Sequence, residues 1–456
     1  MIDTECRSMK WLAGLALWVI ATTAAAGLPA IRYQLAAQPG IFWDLSPEAG
    51  ELKAGLRELA EFGLGDAQLL LASQLSMSSG FVHLREAIHW YQKAYDNGHD
   101  DAPGFIARIV EKKPLLHEGL LPYLREVASR LSPEQGFKSV WSLLEIYSSY
   151  PDFAEPARAD RLLELYRRAC INTCFPDLFA AKTAELNGRD TDALHFYRLA
   201  GLTSGRGVNA YFEFLERFDD RESRFQAFAD SLYEEADTLT ADVVQGISGT
   251  LRALRSEFNP TVIAWLDLAV EKGATNAPIN RIEYMLDLPD SFSFQETRDQ
   301  IKAVEVDFPI QSKLLRAQLL TTLAWKKLDP HAAYDLLKGL EDRNVSAAHI
   351  GMGDLYHMGG LDEVDQLQAI AEYKKAAQKG YGTAFHKIAA IYRYGRAICN
   401  DKVQSHAYSR MALMLGEGSA DEFLRSLKDE LDAAEVARAN AVYRELLAAY
   451  PVEGFE

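Results

Sequence analysis

With 456 residues, 48% of them hydrophobic and 25% charged, the chain can bury a large core and is expected to divide into several domains or into repeats. A formal net charge of -17 argues against a nucleic-acid or anionic-membrane surface, because so acidic a chain repels phosphate. Proteins remain open as partners.

The N-terminus reads as an address. Arg7 and Lys10 precede the uncharged run WLAGLALWVIATTAAAGLPAI, Trp11 to Ile31, in which Ala24 and Ala26 form an A-x-A cleavage site. Residues 1–26 are therefore expected to be a secretory signal, with an uncleaved N-terminal membrane helix as the alternative. No cysteine follows the run, so no lipid anchor is expected. Of the four cysteines, Cys6 precedes the run, Cys399 stands alone, and Cys170 and Cys174 bracket a turn-like segment in ACINTC. In an oxidising compartment Cys170 and Cys174 can form a disulfide that pins the turn; two buried thiols on one helical face are the other reading. No second Cys or His pair lies near enough in sequence to suggest a metal site.

Helical pairs are expected over 40–200 and less regular, acidic pairs over 201–346. In the first stretch GDAQLLLASQL, Gly65 to Leu75, is followed by Ala87, Tyr91, Ala94, Gly98 and Ala102. The same columns return at Ala369, Tyr373, Ala376, Gly380 and Ala384. AWLDLAVEKGATNA, Ala264 to Ala277, and DALHFYRLA, Asp192 to Ala200, are weaker copies. Over 347–418 a shift of 36 residues superposes Ala348, Ala384 and Ala420, and it also pairs Tyr356 with Tyr392, Gly359 with Gly395, Asp365 with Asp401, Ala376 with Ala412, and Gly380 with Gly416. A period of that length predicts an all-α, right-handed α-solenoid of antiparallel helix pairs. The small residues fall on single helical faces and let backbones approach, while the tyrosines fill the wider gaps beside them. Gly380 is placed to end a helix in the left-handed conformation. From Ser419 to Tyr450 an amphipathic stretch, broken near Asp432 or Ala433, predicts two helices that cap the solenoid over 419–450. No strand pattern stands out.

No constellation of catalytic residues is expected. The ten histidines form no H-E-x-x-H, and G-x-S-x-G, Walker and G-x-G-x-x-G motifs are missing. SGRGVN, Ser204 to Asn209, reads as a glycine-containing turn, and the acid pairs Asp100/Asp101 and Asp219/Asp220 read as caps or solvated corners.

The 36-residue pattern resembles Sel1-like repeats, a branch of the tetratricopeptide superfamily, most clearly over Ala347 to Gly416 and also over Gly65 to Ala102. LLEIYSSYPDF (Leu143 to Phe153), ACINTC (Ala169 to Cys174) and YMLDLPD (Tyr284 to Asp290), followed by the two clear repeats, resemble the AlgK family of periplasmic scaffolds in bacterial alginate secretion. That resemblance implies a non-enzymatic helical scaffold without cofactor, located in the periplasm. It also implies contacts with an outer-membrane polysaccharide porin and with periplasmic polymer-modifying proteins. The family's lipidated cysteine has no counterpart here, which leaves membrane association to partners or to an uncleaved N-terminal helix. A generic Sel1-type adaptor or regulator, or a Sel1-type periplasmic hydrolase, is the alternative; the hydrolases tend to be cysteine-rich, and this chain is not.

A solenoid binds through the surface that its curvature presents. The candidate partner-binding residues are His349, Asp354, His386, Arg393, Tyr394 and Arg396, polar or aromatic positions interleaved with the packing columns. Arg393 and Arg396 would suit an acidic partner, and the net charge favours a protein over a polyuronate chain.

Overall fold

The computed structural model describes residues 47–77, 81–153, 156–169, 175–254, 257–343, 345–395, 397–428 and 430–450, with side-chain surroundings from Ala54 onward except at Pro156 and Ala157. The N-terminal signal or anchor, the Cys170/Cys174 pair and Arg396 lie outside these residues. Every regular element among those described is helical, from Pro47–Glu61 to Ala433–Ala449.

Most helices pack on their neighbour along the chain, and many also touch the helix after that; the last, Ala433–Ala449, packs on Lys402–Met414, two helices back. Gly205–Leu215 touches Ala241–Ala253, which in turn touches Ala277–Asp287, then Gln311–Thr321, then Ala347–Met358. Nearest plus next-nearest contacts, carried by short connections, are what helix pairs stacked into an α-solenoid produce.

The described residues fall into two compact units, one holding most of the chain up to Ala102 and the other running from Pro103 to the C-terminal helix. In the first, Ala67, Leu71, Ala72, Ala87, Tyr91 and Ala94 are buried, the small-residue columns among them. Gln68, also buried, donates from Nε2 to the Ala60 carbonyl at 2.9 Å and accepts at Oε1 from Asn97 Nδ2 at 2.8 Å, so a single amide ties three helices.

In the second unit the aromatic core of the middle region gathers Tyr197, Tyr211, Phe214, Phe225, Trp265 and Tyr284. The segment Ser204 to Asn209 is the start of the helix Gly205–Leu215 rather than a free turn: the Ser204 hydroxyl accepts from the Gly207 amide at 3.0 Å. A Cβ on Gly207 would stand 2.1 Å from the Ala200 carbonyl oxygen. The glycine is there for close approach to the preceding helix.

The two clear repeats follow their columns. Ala348, Ala369, Ala376, Ala384, Ala412 and Ala420 are fully buried and Tyr373 nearly so. Asp365 and Asp401 stand at equivalent helix starts, accepting from the Gln368 and Gln404 amides at 2.9 Å each, which gives their shared column a capping role. Gly359 and Gly395 end the helices Ala347–Met358 and Gly382–Tyr394 with φ of +76° and +60°, where a Cβ would be strained. At the C-terminus Ser419–Lys428 and Ala433–Ala449 are separate helices. The second is opened by Asp432, which forms a reciprocal capping box with Glu435.

Candidate partner-binding surface on the C-terminal repeats

The structure sorts the expected surface residues by what already holds them. His349, in the first turn of Ala347–Met358, places Nδ1 2.9 Å from Glu372 Oε2 on the following helix, Gln366–Ala377. Glu372 is 4% exposed, and its other oxygen accepts from Lys375 Nζ at 2.9 Å. Burial opposes its charge, but the hydrogen bonds from His349 and Lys375 outweigh burial and hold the Glu372 carboxyl below the usual range. Glu341, at the end of the helix Pro330–Glu341, completes the group, 3.6 Å from Lys375 Nζ.

Asp354 lies one helical face away and is equally engaged. It accepts from the Tyr373 hydroxyl at 2.5 Å and from Lys387 Nζ at 2.7 Å, which links three consecutive helices. Burial, then the Asp354 charge, pushes the Tyr373 phenol well above its ordinary value.

Arg393 is bidentate with Glu430, at 2.5 and 2.9 Å, and Lys402 reaches the same carboxylate at 2.8 Å. Those two cations hold the Glu430 carboxyl down at about 2. The pairs join the second clear repeat to the C-terminal helices, so the Arg393 guanidinium meets an acidic partner only by sharing or releasing Glu430.

Two positions keep side-chain surface to offer. Tyr394 is 72% exposed and meets Phe423 edge-to-face, their centroids 6.0 Å apart. His386, half-buried, lies edge-on to the same Phe423 at 4.8 Å, with no hydrogen-bond partner at Nδ1 among the described residues. Burial pushes its imidazole below the ordinary value, partly offset by Glu417 and reinforced by Lys387. Phe423, from the first capping helix, thus gathers Tyr394 and His386 into one aromatic patch.

Residue spacing did not disclose Glu341, Glu372, Glu430 or Phe423 as members of this surface. Each lies in a different element from the residue it holds, at sequence separations from 8 to 37 that follow no single period, so only the stacking of the helices brings them together.

No family model matches the chain. The alginate biosynthesis protein AlgK of Azotobacter vinelandii is 30% identical over 93 residues, a match spanning 20% of this chain and 20% of that protein. AlgK of Pseudomonas syringae pv. tomato is 21% identical over 392 residues, covering 84% of this chain and 82% of its own. Among solved structures, a protective antigen of uropathogenic Escherichia coli with an SLR fold is 16% identical, covers 88% of this chain and 87% of its own, and superposes with a TM-score of 0.29. A Sel1 repeat protein from Oxalobacter formigenes is 19% identical, covers 49% and 94%, and has a TM-score of 0.27. The chain is an all-helical repeat protein among its described residues, its 36-residue pattern is similar to Sel1-like repeats, and it resembles AlgK over most of its length.

Proposed function

We propose that this chain is a non-catalytic periplasmic scaffold that organises an alginate-type exopolysaccharide synthesis and secretion complex through protein contacts. The observation that carries the reading is the resemblance to AlgK across 84% of the chain. The stacked helix pairs support it, because an α-solenoid offers extended surface for partners in place of an enclosed reaction site. No helix among the described residues is long and apolar enough to cross a membrane, so contact with the envelope falls to partners or to the segment before Pro47. An outer-membrane polysaccharide porin and periplasmic polymer-modifying proteins are the partners proposed. Tyr394, Phe423 and His386 form the face proposed to meet one of them, with Arg393 next to Tyr394 in the sequence.

A pull-down of the tagged chain from cross-linked envelope, with inner and outer membranes fractionated in the same preparation, tests this. Recovery of an outer-membrane β-barrel together with polymer-modifying proteins supports the scaffold. Recovery of inner-membrane or cytosolic signalling proteins alone rejects it in favour of a generic Sel1-type adaptor.

A further inference from the structure

Three helices that follow one another along the chain each send one metal-ligating side chain to a common point. Glu341, His349 and Glu372 each offer a ligand atom within 4.8 Å of the other two. His349 Nδ1 lies 2.9 Å from Glu372 Oε2 and 3.9 Å from Glu341 Oε1. Ligands about 2.1 Å from a tetrahedral ion stand about 3.4 Å from one another. The two separations straddle that value, and the two carboxylates approach within 4.8 Å of each other, so the three ligand atoms stand at the spacing of one coordination sphere to within about 1.5 Å.

The surroundings fit as well. The side chains of His349, Glu372 and Glu341 are 15%, 6% and 21% exposed, which shields the ligands while leaving a way in. Two cations now answer the carboxylates: Lys375 Nζ, 2.9 Å from Glu372 and 3.6 Å from Glu341, and Lys338, whose Nζ donates to Glu341 Oε2 and leaves Oε1 facing His349. Lys375 is 46% exposed and sits at the end of a flexible stem, free to swing into water. Gln368 Nε2, 3.4 Å from Glu372 Oε1, stands behind the carboxylate as an outer support.

We propose that Glu341, His349 and Glu372 bind one divalent transition-metal ion of the zinc class, with water as the fourth ligand and Lys375 displaced. One imidazole with two carboxylates suits such an ion better than calcium or magnesium, which take mostly oxygen ligands in larger number. A bound ion would tie the end of Pro330–Glu341 to both helices of the first clear repeat and fix the angle at which that repeat stacks. The inference does not depend on the scaffold reading.

Calorimetric titration of Zn²⁺ into the chelator-treated full chain, its cysteines alkylated, is the test. We expect saturable binding of one ion per chain, weakened roughly tenfold or more by His349→Ala and by Glu372→Gln. Lys375→Met is expected to tighten binding, because it removes the cation that bridges both carboxylates and leaves only Lys338 on Glu341. No saturable binding, or binding that survives both ligand substitutions, would overturn the proposal. So would weaker binding in Lys375→Met, which would mark Lys375 as a support and not a competitor. Circular dichroism verifies that the variants fold; should His349→Ala fail, the direction of the Lys375→Met shift decides, since that half-exposed side chain is dispensable for packing.

Discussion

Tyr373 and Asp354, 19 residues apart on the two helices of one repeat, share a hydrogen bond of 2.5 Å, with the phenol ring buried and the carboxylate partly exposed. Removing either partner has a different consequence. Tyr373→Phe leaves Asp354 to Lys387 and should cost about 1–2 kcal/mol, whereas Asp354→Ala strands a buried hydroxyl and should cost about 1–3 kcal/mol. Denaturant midpoints of the two variants and the double variant check this, the double costing less than the sum.

Gly353 tests the packing beneath that bond. A Cβ there would meet the Tyr373 ring at 2.4 Å. Helix propensity alone would favour Gly353→Ala by about 1 kcal/mol, but overpacking of about 1–3 kcal/mol opposes it. Net destabilisation is expected, and combining Gly353→Ala with Tyr373→Leu should relieve it; thermal unfolding of the single and double variants measures the coupling.

A buried ion pair fixes the junction between Phe137–Ser149 and Gly205–Leu215. Glu145 is wholly buried and takes both guanidinium nitrogens of Arg206, at 2.5 and 2.6 Å. Glu145→Leu alone should cost about 3–5 kcal/mol because it leaves Arg206 without its counter-charge, while Glu145→Leu with Arg206→Met should recover most of that loss. Urea denaturation of the three proteins separates the cases.

Acid sensitivity should appear near neutral pH. Burial lowers the pKa of both His386 and His406 in the folded chain, with Glu417 partly opposing the shift at His386, while Lys387 there and Arg410 at His406 add to it. A folded pKa below the unfolded value of about 6.5 means the unfolded chain binds more protons, so stability falls as pH drops through that value. His386→Gln should flatten the dependence of Tm on pH between about 7.5 and 5.5. An unchanged slope in this variant would show that His386 does not titrate in that window.

Tyr394 separates surface from core. At 72% exposure, Tyr394→Ala should shift stability by no more than about 0.5 kcal/mol. If its patch with Phe423 meets a partner, the same variant should lower recovery of that partner in the envelope pull-down.

The local grammar of the fold was legible in the sequence. Small residues recurring every 36 positions occupy points where two helix backbones approach, and an alanine there carries the same meaning in any neighbourhood. Asp365 and Asp401 work similarly, because an N-cap is satisfied by an amide three residues away. Tertiary structure decided which polar residues stay free. Asp354 and Arg393 look like surface groups in the sequence, yet Tyr373 and Lys387 engage the first from neighbouring helices and Glu430 the second from the turn between the C-terminal helices. Gly353 shows neither a positive φ nor a turn, and its purpose emerges only when the Tyr373 ring lies across it. Helical periodicity assigns a residue to a face, but which charge waits on the opposing face depends on how successive pairs stack, and the long-range packing of the whole core sets that.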